Sequence, residues 1–296
     1  MPWLLAILAI GLFALAWSVF VERNRFTIVR QELAILTQGS APIRVLHLSD
    51  LHLAPWQKRK QGWISRLSEL QPDLVINTGD NLGHRDAIRP TLETLDGLLH
   101  LKGVFVNGSN DYHAPEIRNP LSYLQKPSTP NHKDVLPTTR MTDVFEAKGW
   151  LNLNNQSGSL NIAGTRIGFL GLDDPHDELA WFETLDQQRS DLGKQDLIIG
   201  VAHAPYLRVI DEFGKRDADL VFAGHTHGGQ VCLPVIGALV TNCDLPAKYA
   251  KGLSTHLVGN RNVWLNVCAG LGTSIFAPIR FFCKPEVRLL TLVAKA

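Results

Sequence analysis

Cysteine is scarce in this chain. Of its 296 residues only Cys232, Cys243, Cys268 and Cys283 are cysteines, too few and too scattered for a disulfide framework, and no pair has the C-x-x-C spacing of a zinc site. They read as ordinary core thiols and carry no information on compartment. A charge excess is missing too: 29 Lys+Arg against 28 Asp+Glu leave +1, without the basic footprint of a dedicated nucleic-acid binder. Charged residues make up 19%, below the ~25% of an average soluble protein. Hydrophobic residues, at 45%, supply enough apolar surface to offset chain entropy, which excludes disorder as the main state. No internal repeat is visible, and the length suits one large domain or two small ones.

Ionisable side chains are absent from residues 1–21, where Trp3 to Val21 is apolar except for Gly11 and Ser18. Nineteen helical residues rise about 28 Å, close to the ~30 Å hydrocarbon core of a bilayer. A membrane anchor, a cleaved signal peptide and a helix packed on the domain all fit such a run. A signal peptide normally opens with a basic region, which is not found here, although Ala14-Leu15-Ala16 resembles a cleavage site. The expectation is therefore a single-pass anchor or uncleaved signal over 1–22, a linker over 23–42 and one domain over 43–296. Arg23, Arg25 and Arg30 follow the segment, so the positive-inside rule puts the domain on the cytoplasmic side of the cell membrane.

From Ile43 onward, short apolar runs alternate with helix-period stretches, which predicts layered α/β structure. Strands are expected over Arg44–Leu48, Leu74–Asn77, Val104–Asn107, Arg166–Leu170, Leu197–Ala202, Leu220–Ala223, Val263–Cys268 and Val287–Val293. Their mostly continuous apolar character means sheets covered on both faces. Trp63, Ile64, Leu67 and Leu70 mark one helix face, and Ile88, Leu92, Leu95 and Leu99 another, with Asp86 as its N-cap. A third helix starts near Pro205 with Leu207, Val209 and Ile210 inward. The stretch from Ala114 to Thr142, around Tyr123, is proline-rich and aperiodic, the pattern of a lid or substrate-sorting insert.

Five short motifs each follow an expected strand: Ser49-Asp50-Leu51-His52, Thr78-Gly79-Asp80-Asn81, Gly108-Ser109-Asn110-Asp111, His203-Ala204-Pro205 and Gly224-His225-Thr226-His227. In α/β sheets the crevice beyond the carboxyl ends of strands is the usual ligand site. Residues i and i+2 of extended backbone project to the same side, so Asp50 with His52, and His225 with His227, can each aim two donors at one place. Carboxylate, amide and imidazole without thiolate suit Mn, Fe, Zn or Ni. Asp50, His52, Asp80, Asn110, His203, His225 and His227 are more donors than one ion needs, but fit two ions sharing a bridging carboxylate, an arrangement used for in-line displacement at phosphorus.

In order, these motifs resemble the calcineurin-like metallophosphoesterase family, with its Asp-x-His, Gly-Asp, Gly-Asn-His-Glu/Asp, later His and Gly-His-x-His pattern. The stretch Gly224 to Gln230 and the leading hydrophobic segment resemble its membrane-associated, YkuE-like bacterial branch, which includes phosphodiesterases and relatives that cleave UDP-diacylglucosamine. The resemblance implies an α/β (α+β) four-layer sandwich of two mixed sheets flanked by helices. It also implies a dinuclear centre in which Asp50, His52 and His227 hold one ion, Asn110, His203 and His225 the other, and Asp80 bridges. A hydroxide between the ions would attack phosphorus in line. The third motif departs from the pattern. Without gaps, Ser109 stands at the family's Asn and Asn110 at its His; a one-residue shift makes Asn110 the ligand and puts Asp111 where the His stands. The shift is preferred, because an amide oxygen ligates these metals better than a hydroxyl. The family's His is lost either way, so Asp111 or His113 is expected to serve the leaving group.

The implied function is metal-dependent hydrolysis of a phosphoric ester, a phosphodiester ahead of a monoester, in a lipid- or nucleotide-linked or other cell-envelope substrate. A non-catalytic metal-binding scaffold on the same fold is the alternative. Trp56, Lys58, Arg59, Lys60 and Trp63 mix cations with aromatics beside the first motif, which suits either a solvated loop or a grip on a second phosphate or a lipid interface. Asp173-Asp174-Pro175-His176 follows another strand end, where turn chemistry and contact with the substrate or metal shell explain it equally well.

Overall fold

The computed structural model describes residues 2–116 and 134–296; the insert around Tyr123 falls largely outside them. Its strands are β1 (Thr27–Leu36), β2 (Ile43–Leu48), β3 (Leu74–Asn77), β4 (Gly103–Phe105), β5 (Leu151–Asn152), β6 (Ser157–Ile162), β7 (Thr165–Gly171), β8 (Leu197–Val201), β9 (Leu220–Ala223), β10 (Cys232–Leu233), β11 (Gly237–Ala238), β12 (Gly252–Val258), β13 (Arg261–Val267) and β14 (Glu286–Ala294). One mixed sheet runs β1-β14-β2-β3-β4-β5 and the other β12-β13-β9-β8-β7-β6, while β10 and β11 form a small hairpin.

Alternation along the strands builds the layers. In β2, Ile43 and Val45 face the second sheet, where Ile199, Val201, Leu220 and Phe222 meet them in a core shared by both sheets. Leu46 and Leu48 point the other way, into a core closed by α2 (Lys58–Ser65), α3 (Ile88–Leu99) and α5 (Thr139–Ala147). On the far side, α6 (Leu185–Leu192) and α7 (Leu207–Lys215) cover Ile198, Val221 and Val263. Helix, sheet, sheet, helix is the expected four-layer sandwich. The short α4 (Ser109–Tyr112) caps the β4 end.

Residues Pro2–Asn24 form a helix of 23 residues, long and apolar enough to cross a membrane, with only Ser18 and Glu22 buried among them. It begins with α1 (Pro2–Ala16) and ends in tighter and wider turns. At its foot Glu22 accepts the Cys283 N–H at 2.8 Å and the Trp17 indole N–H at 3.1 Å.

Several local expectations need correction. Residues 23–42 are not a simple linker, because they contain β1, which pairs in parallel with β14 along its length. Its apolar alternation is confined to the end around Leu33 and Ile35, and Gln31 and Glu32 are exposed on the sheet edge, which hid the strand. The N-cap of α3 is Ala87, with no side-chain cap, rather than Asp86. In α7, Val209 and Ile210 are buried as expected, but Leu207, in the first turn, faces out. All four cysteines are free thiols and only Cys243 is not fully buried.

Candidate metal centre

The motifs meet at the carboxyl ends of β2, β3, β4, β8 and β9. Backbone geometry there is unusual: Asp50, His52, Asp80, His225 and His227 have φ of 49°, 38°, 55°, 65° and 50°. Non-glycine residues seldom occupy this left-handed region, and such strain gathers at functional sites. The expectation that Asp50/His52 and His225/His227 converge through extended backbone is thus replaced by tight left-handed turns. The turns interlock: Asp50 N–H bonds to Gly79 O at 2.9 Å and His52 N–H to Asp80 O at 2.9 Å. Gly79 has φ +87°, and a Cβ on it would sit 2.3 Å from Gly108 N. Only glycine lets these two loops close on each other.

Two groups of donors result. The ligand atoms of Asp50, His52 and His227 lie within 4.8 Å of one another, as do those of Asp50, Asp80 and His203. Asp50 Oδ1 is 3.6 Å from His227 Nε2, and the His52 and His227 rings stack at 5.0 Å. Asp80 Oδ2 is 3.4 Å from His52 Nε2 and 3.5 Å from His203 Nε2, so it reaches toward both groups, while Asp50 belongs to both. His203 Nδ1 is 2.7 Å from Thr78 O; donating a proton there aims Nε2 at Asp80. His225 gives its backbone N–H to Asp50 Oδ2 at 3.0 Å, and its Nε2 lies 3.1 Å from Asn242 O; it stands beside the two donor groups without belonging to either. Asn110 donates its backbone N–H to Asp80 Oδ1 at 2.9 Å and its amide to Oδ2 at 2.7 Å. Its side chain therefore stands at the carboxylate, and an amide flip presents the oxygen.

The donors are left wanting partners. Asp50 Oδ1, both ring nitrogens of His52, His203 Nε2 and His227 Nδ1 are buried without a hydrogen bond. Each such atom costs about 1–3 kcal/mol, and their crowding has a common remedy in divalent cations, which that donor set fits. Burial holds His52 down to about 4 and His225 and His227 well below the ordinary imidazole range, so all three are neutral and able to ligate. Burial also raises Asp50 to about 6. For His203 burial is outweighed by Asp80, Asp174 and Asp50, and its pKa stands well above the usual value.

Asp111, one of the two residues expected to serve the leaving group, is tied into the loop backbone. It is fully buried, and its carboxylate accepts N–H groups from Asn81 (2.8 Å), Leu82 (3.2 Å) and Gly108 (3.1 Å). By accepting the Gly108 N–H it closes the first turn of α4, so it fastens two loops. Burial and the Asp80 charge push it up to about 7. His113 ends α4, with Nε2 3.5 Å from Asp177 Oδ2.

Residues outside the five motifs also reach the site. The Asp173–His176 turn lies against the site: the His176 ring is 4.4 Å from that of His225, and its Nδ1 is 2.9 Å from the Tyr206 hydroxyl. Tyr112 donates its hydroxyl to Asp173 at 2.8 Å. Ser49 donates to Asp50 Oδ2 at 2.5 Å. Arg280, fully buried, donates to the carbonyls of Ala269, Gly270 and Gly272 at 2.7, 3.1 and 2.8 Å and to His227 O at 3.3 Å. Nothing in the local sequence distinguishes this arginine; its partners are remote loops.

The chain is similar to YpbG of Bacillus subtilis (strain 168), 27% identical over 260 residues covering 86% of this chain and 83% of YpbG. The phosphodiesterase YaeI of Escherichia coli (strain K12) is 25% identical over 285 residues, covering 93% of this chain and 91% of YaeI. The UDP-2,3-diacylglucosamine pyrophosphatase LpxG of Chlamydia trachomatis is 23% identical over 333 residues, covering 97% and 95%. Residues 43–229 match the calcineurin-like phosphoesterase family profile; with that match spanning more than half of its length, the chain belongs to this family of metal-dependent phosphoester hydrolases.

Proposed function

We propose that the protein is a membrane-anchored phosphodiesterase with a dinuclear metal centre. The observation that carries this reading is the pair of donor groups joined at Asp50, with buried ligand atoms that have no other partner. In the proposal Asp50, His52 and His227 hold one cation, Asn110, His203 and His225 the other, and Asp80 spans both; Mn, Fe, Zn and Ni all suit the set. Bound there, such cations supply a hydroxide-like nucleophile near neutral pH and neutralise charge on the phosphoryl oxygens. The chain's own contribution is placement. Thr78 O and Asn242 O orient the rings of His203 and His225, and Ser49 orients the Asp50 carboxylate. His113, beside Asp177, is proposed to protonate the leaving oxygen, taking the place of the family's missing His.

Diester preference follows from charge. The turn flanking His225 and His113 carries Asp173, Asp174 and Asp177; burial holds the Asp173 and Asp174 carboxyls above the usual range, and a dianionic monoester would oppose their ionisation more than a monoanionic diester. The names of YaeI and LpxG, a phosphodiesterase and a pyrophosphatase of a nucleotide-linked lipid, support the same class. Membrane anchoring is supported by the exposed helix Pro2–Asn24, and Arg23, Arg25 and Arg30 after it favour the cytoplasmic side. The full chain, loaded with metal in detergent micelles, is expected to turn over bis-(p-nitrophenyl) phosphate at least about tenfold faster than p-nitrophenyl phosphate. A metal-loaded, folded preparation inactive on diesters, monoesters and UDP-linked lipids would instead favour the non-catalytic scaffold.

A further inference from the structure

Where the hydrophobic helix ends, the surface holds a cleft with a cavity volume of about 230 Å³. Four cations line it, Arg23, Lys58, Arg59 and Lys60, with Phe26 and Trp56 as aromatic walls and no aspartate or glutamate. Several cations elsewhere sit in ion pairs, as in Arg85–Asp134 at 2.7 Å, Arg216–Glu212 at 2.6 Å and Arg288–Glu286 at 2.9 Å. Among the described residues none of the four cleft cations has an ion-pair partner, and Arg23 Nε is buried without any acceptor. Lys60 is nearly buried, its ammonium held on Leu51 O at 2.5 Å and His52 O at 3.1 Å. A cleft of like charges in a +1 chain lacks an anion.

The position of the cleft says which anion. Arg23 sits in the last turn of the helix Pro2–Asn24, where a membrane segment leaves the hydrocarbon and enters the headgroup layer. Trp56, 60% exposed, lies across from it, and tryptophan favours that same layer. Cations there attract anionic lipid phosphates. The volume falls below the ~300–1,000 Å³ of pockets that enclose whole drug-sized ligands, so the cleft takes a headgroup and leaves acyl chains outside. We propose that this cleft binds the phosphate of an anionic lipid headgroup at the membrane surface.

The cleft also shares walls with the metal loop. Lys60 bonds the carbonyls of Leu51 and His52, and Gly272, another lining residue, donates its N–H to Asp50 O at 2.6 Å. A Cβ on Gly272 would lie 2.6 Å from the His52 Cβ. A headgroup in the cleft therefore bears directly on the backbone that carries Asp50 and His52. The inference rests on the membrane placement of the helix but not on diester chemistry, so binding is the readout and turnover is not.

The test is calorimetric titration of the full chain in dodecylmaltoside micelles with dioctanoyl-phosphatidylglycerol, dioctanoyl-phosphatidylcholine and sodium phosphate. Phosphatidylglycerol is expected to bind saturably, at least about tenfold tighter than phosphatidylcholine or free phosphate. The triple variant Arg23→Gln/Lys58→Gln/Arg59→Gln should weaken it about tenfold or more, while removal of three cations elsewhere (Lys148→Gln/Arg166→Gln/Arg189→Gln) should not. Should the triple variant fold poorly, Lys58→Gln/Arg59→Gln, both at exposed positions, serves in its place with the same expected direction. Equal phosphatidylglycerol affinity in wild type and cleft variant, or the same loss in the control variant, overturns the proposal. Free phosphate binding as tightly as phosphatidylglycerol overturns the lipid source and leaves a site for a soluble phosphate.

Discussion

Gly108→Ala isolates the geometry of the centre from its chemistry. Gly108 has φ −115° and ψ 174°, extended backbone that alanine adopts without strain, and the substitution removes no ligand. The new Cβ, however, would stand 2.4 Å from Asp80 Oδ1 and 2.8 Å from His203 Cε1 and Nδ1. Relieving this to ordinary contact needs a shift of about 1 Å in a carboxylate or an imidazole. Neither is free to give: Asp80 is bound by the Asn110 N–H at 2.9 Å and His203 by Thr78 O at 2.7 Å. Overpacking of this kind costs about 1–3 kcal/mol of stability, and a 1 Å misplacement of catalytic groups costs about 10²-fold in rate. Urea melts, metal content by mass spectrometry and diester turnover measure the three effects separately. The reasoning fails if the alanine variant keeps its full complement of metal and turns over within about threefold of wild type.

Other substitutions test neighbouring parts of the account. Arg280→Lys keeps a positive charge but loses the fork that reaches the carbonyls of Ala269, Gly270 and Gly272; a loss of roughly 3 kcal/mol in denaturant melts is expected, and an unchanged midpoint would refute the clamp. Asp174 is fully buried, with one oxygen unpartnered, and burial raises it to about 7. Its folded pKa lies above the unfolded value near 3.8, so its contribution to stability is complete below the unfolded pKa and is lost as pH rises toward 7. In metal-free protein, Asp174→Asn should therefore gain about 2 kcal/mol relative to wild type between pH 5 and 7; a pH-independent difference would show that Asp174 does not titrate there. His113→Gln should slow cleavage of diesters with poor alkoxide leaving groups by about 10²-fold or more and spare nitrophenolate leaving groups; equal losses on both would remove it as proton donor.

The sequence was most legible where structure is most buried. The expected strands Arg44–Leu48, Leu74–Asn77, Val104–Asn107 and Val287–Val293 match the four interior strands of the first sheet, and Arg166–Leu170, Leu197–Ala202, Leu220–Ala223 and Val263–Cys268 match those of the second. Strands covered on both faces are continuous apolar runs, and these stand out in a sequence. The four edges, β1, β5, β6 and β12, were all missed, being short or half-exposed and mixed in polarity. At the site, motif and strand end together brought Asp50, His52, Asp80, His203 and His227 to one place. Asp111 has the chemistry of a catalytic acid, but the N–H groups of Asn81, Leu82 and Gly108 that its carboxylate accepts come from loop contacts the sequence does not display. Arg280, Tyr112 and Tyr206 contribute through contacts between remote loops, which spacing along the chain cannot reveal.

The central claim is that two cations are held by side chains drawn from five loops. Anomalous diffraction from crystals of the metal-loaded full chain, with metal quantified in solution, tests it most directly. The account predicts two peaks ~3.5–4 Å apart, one beside Asp50, His52 and His227 and one beside Asn110, His203 and His225, with Asp80→Ala losing both while still folded. A single peak at full occupancy, or two ions that persist in Asp80→Ala, would contradict it.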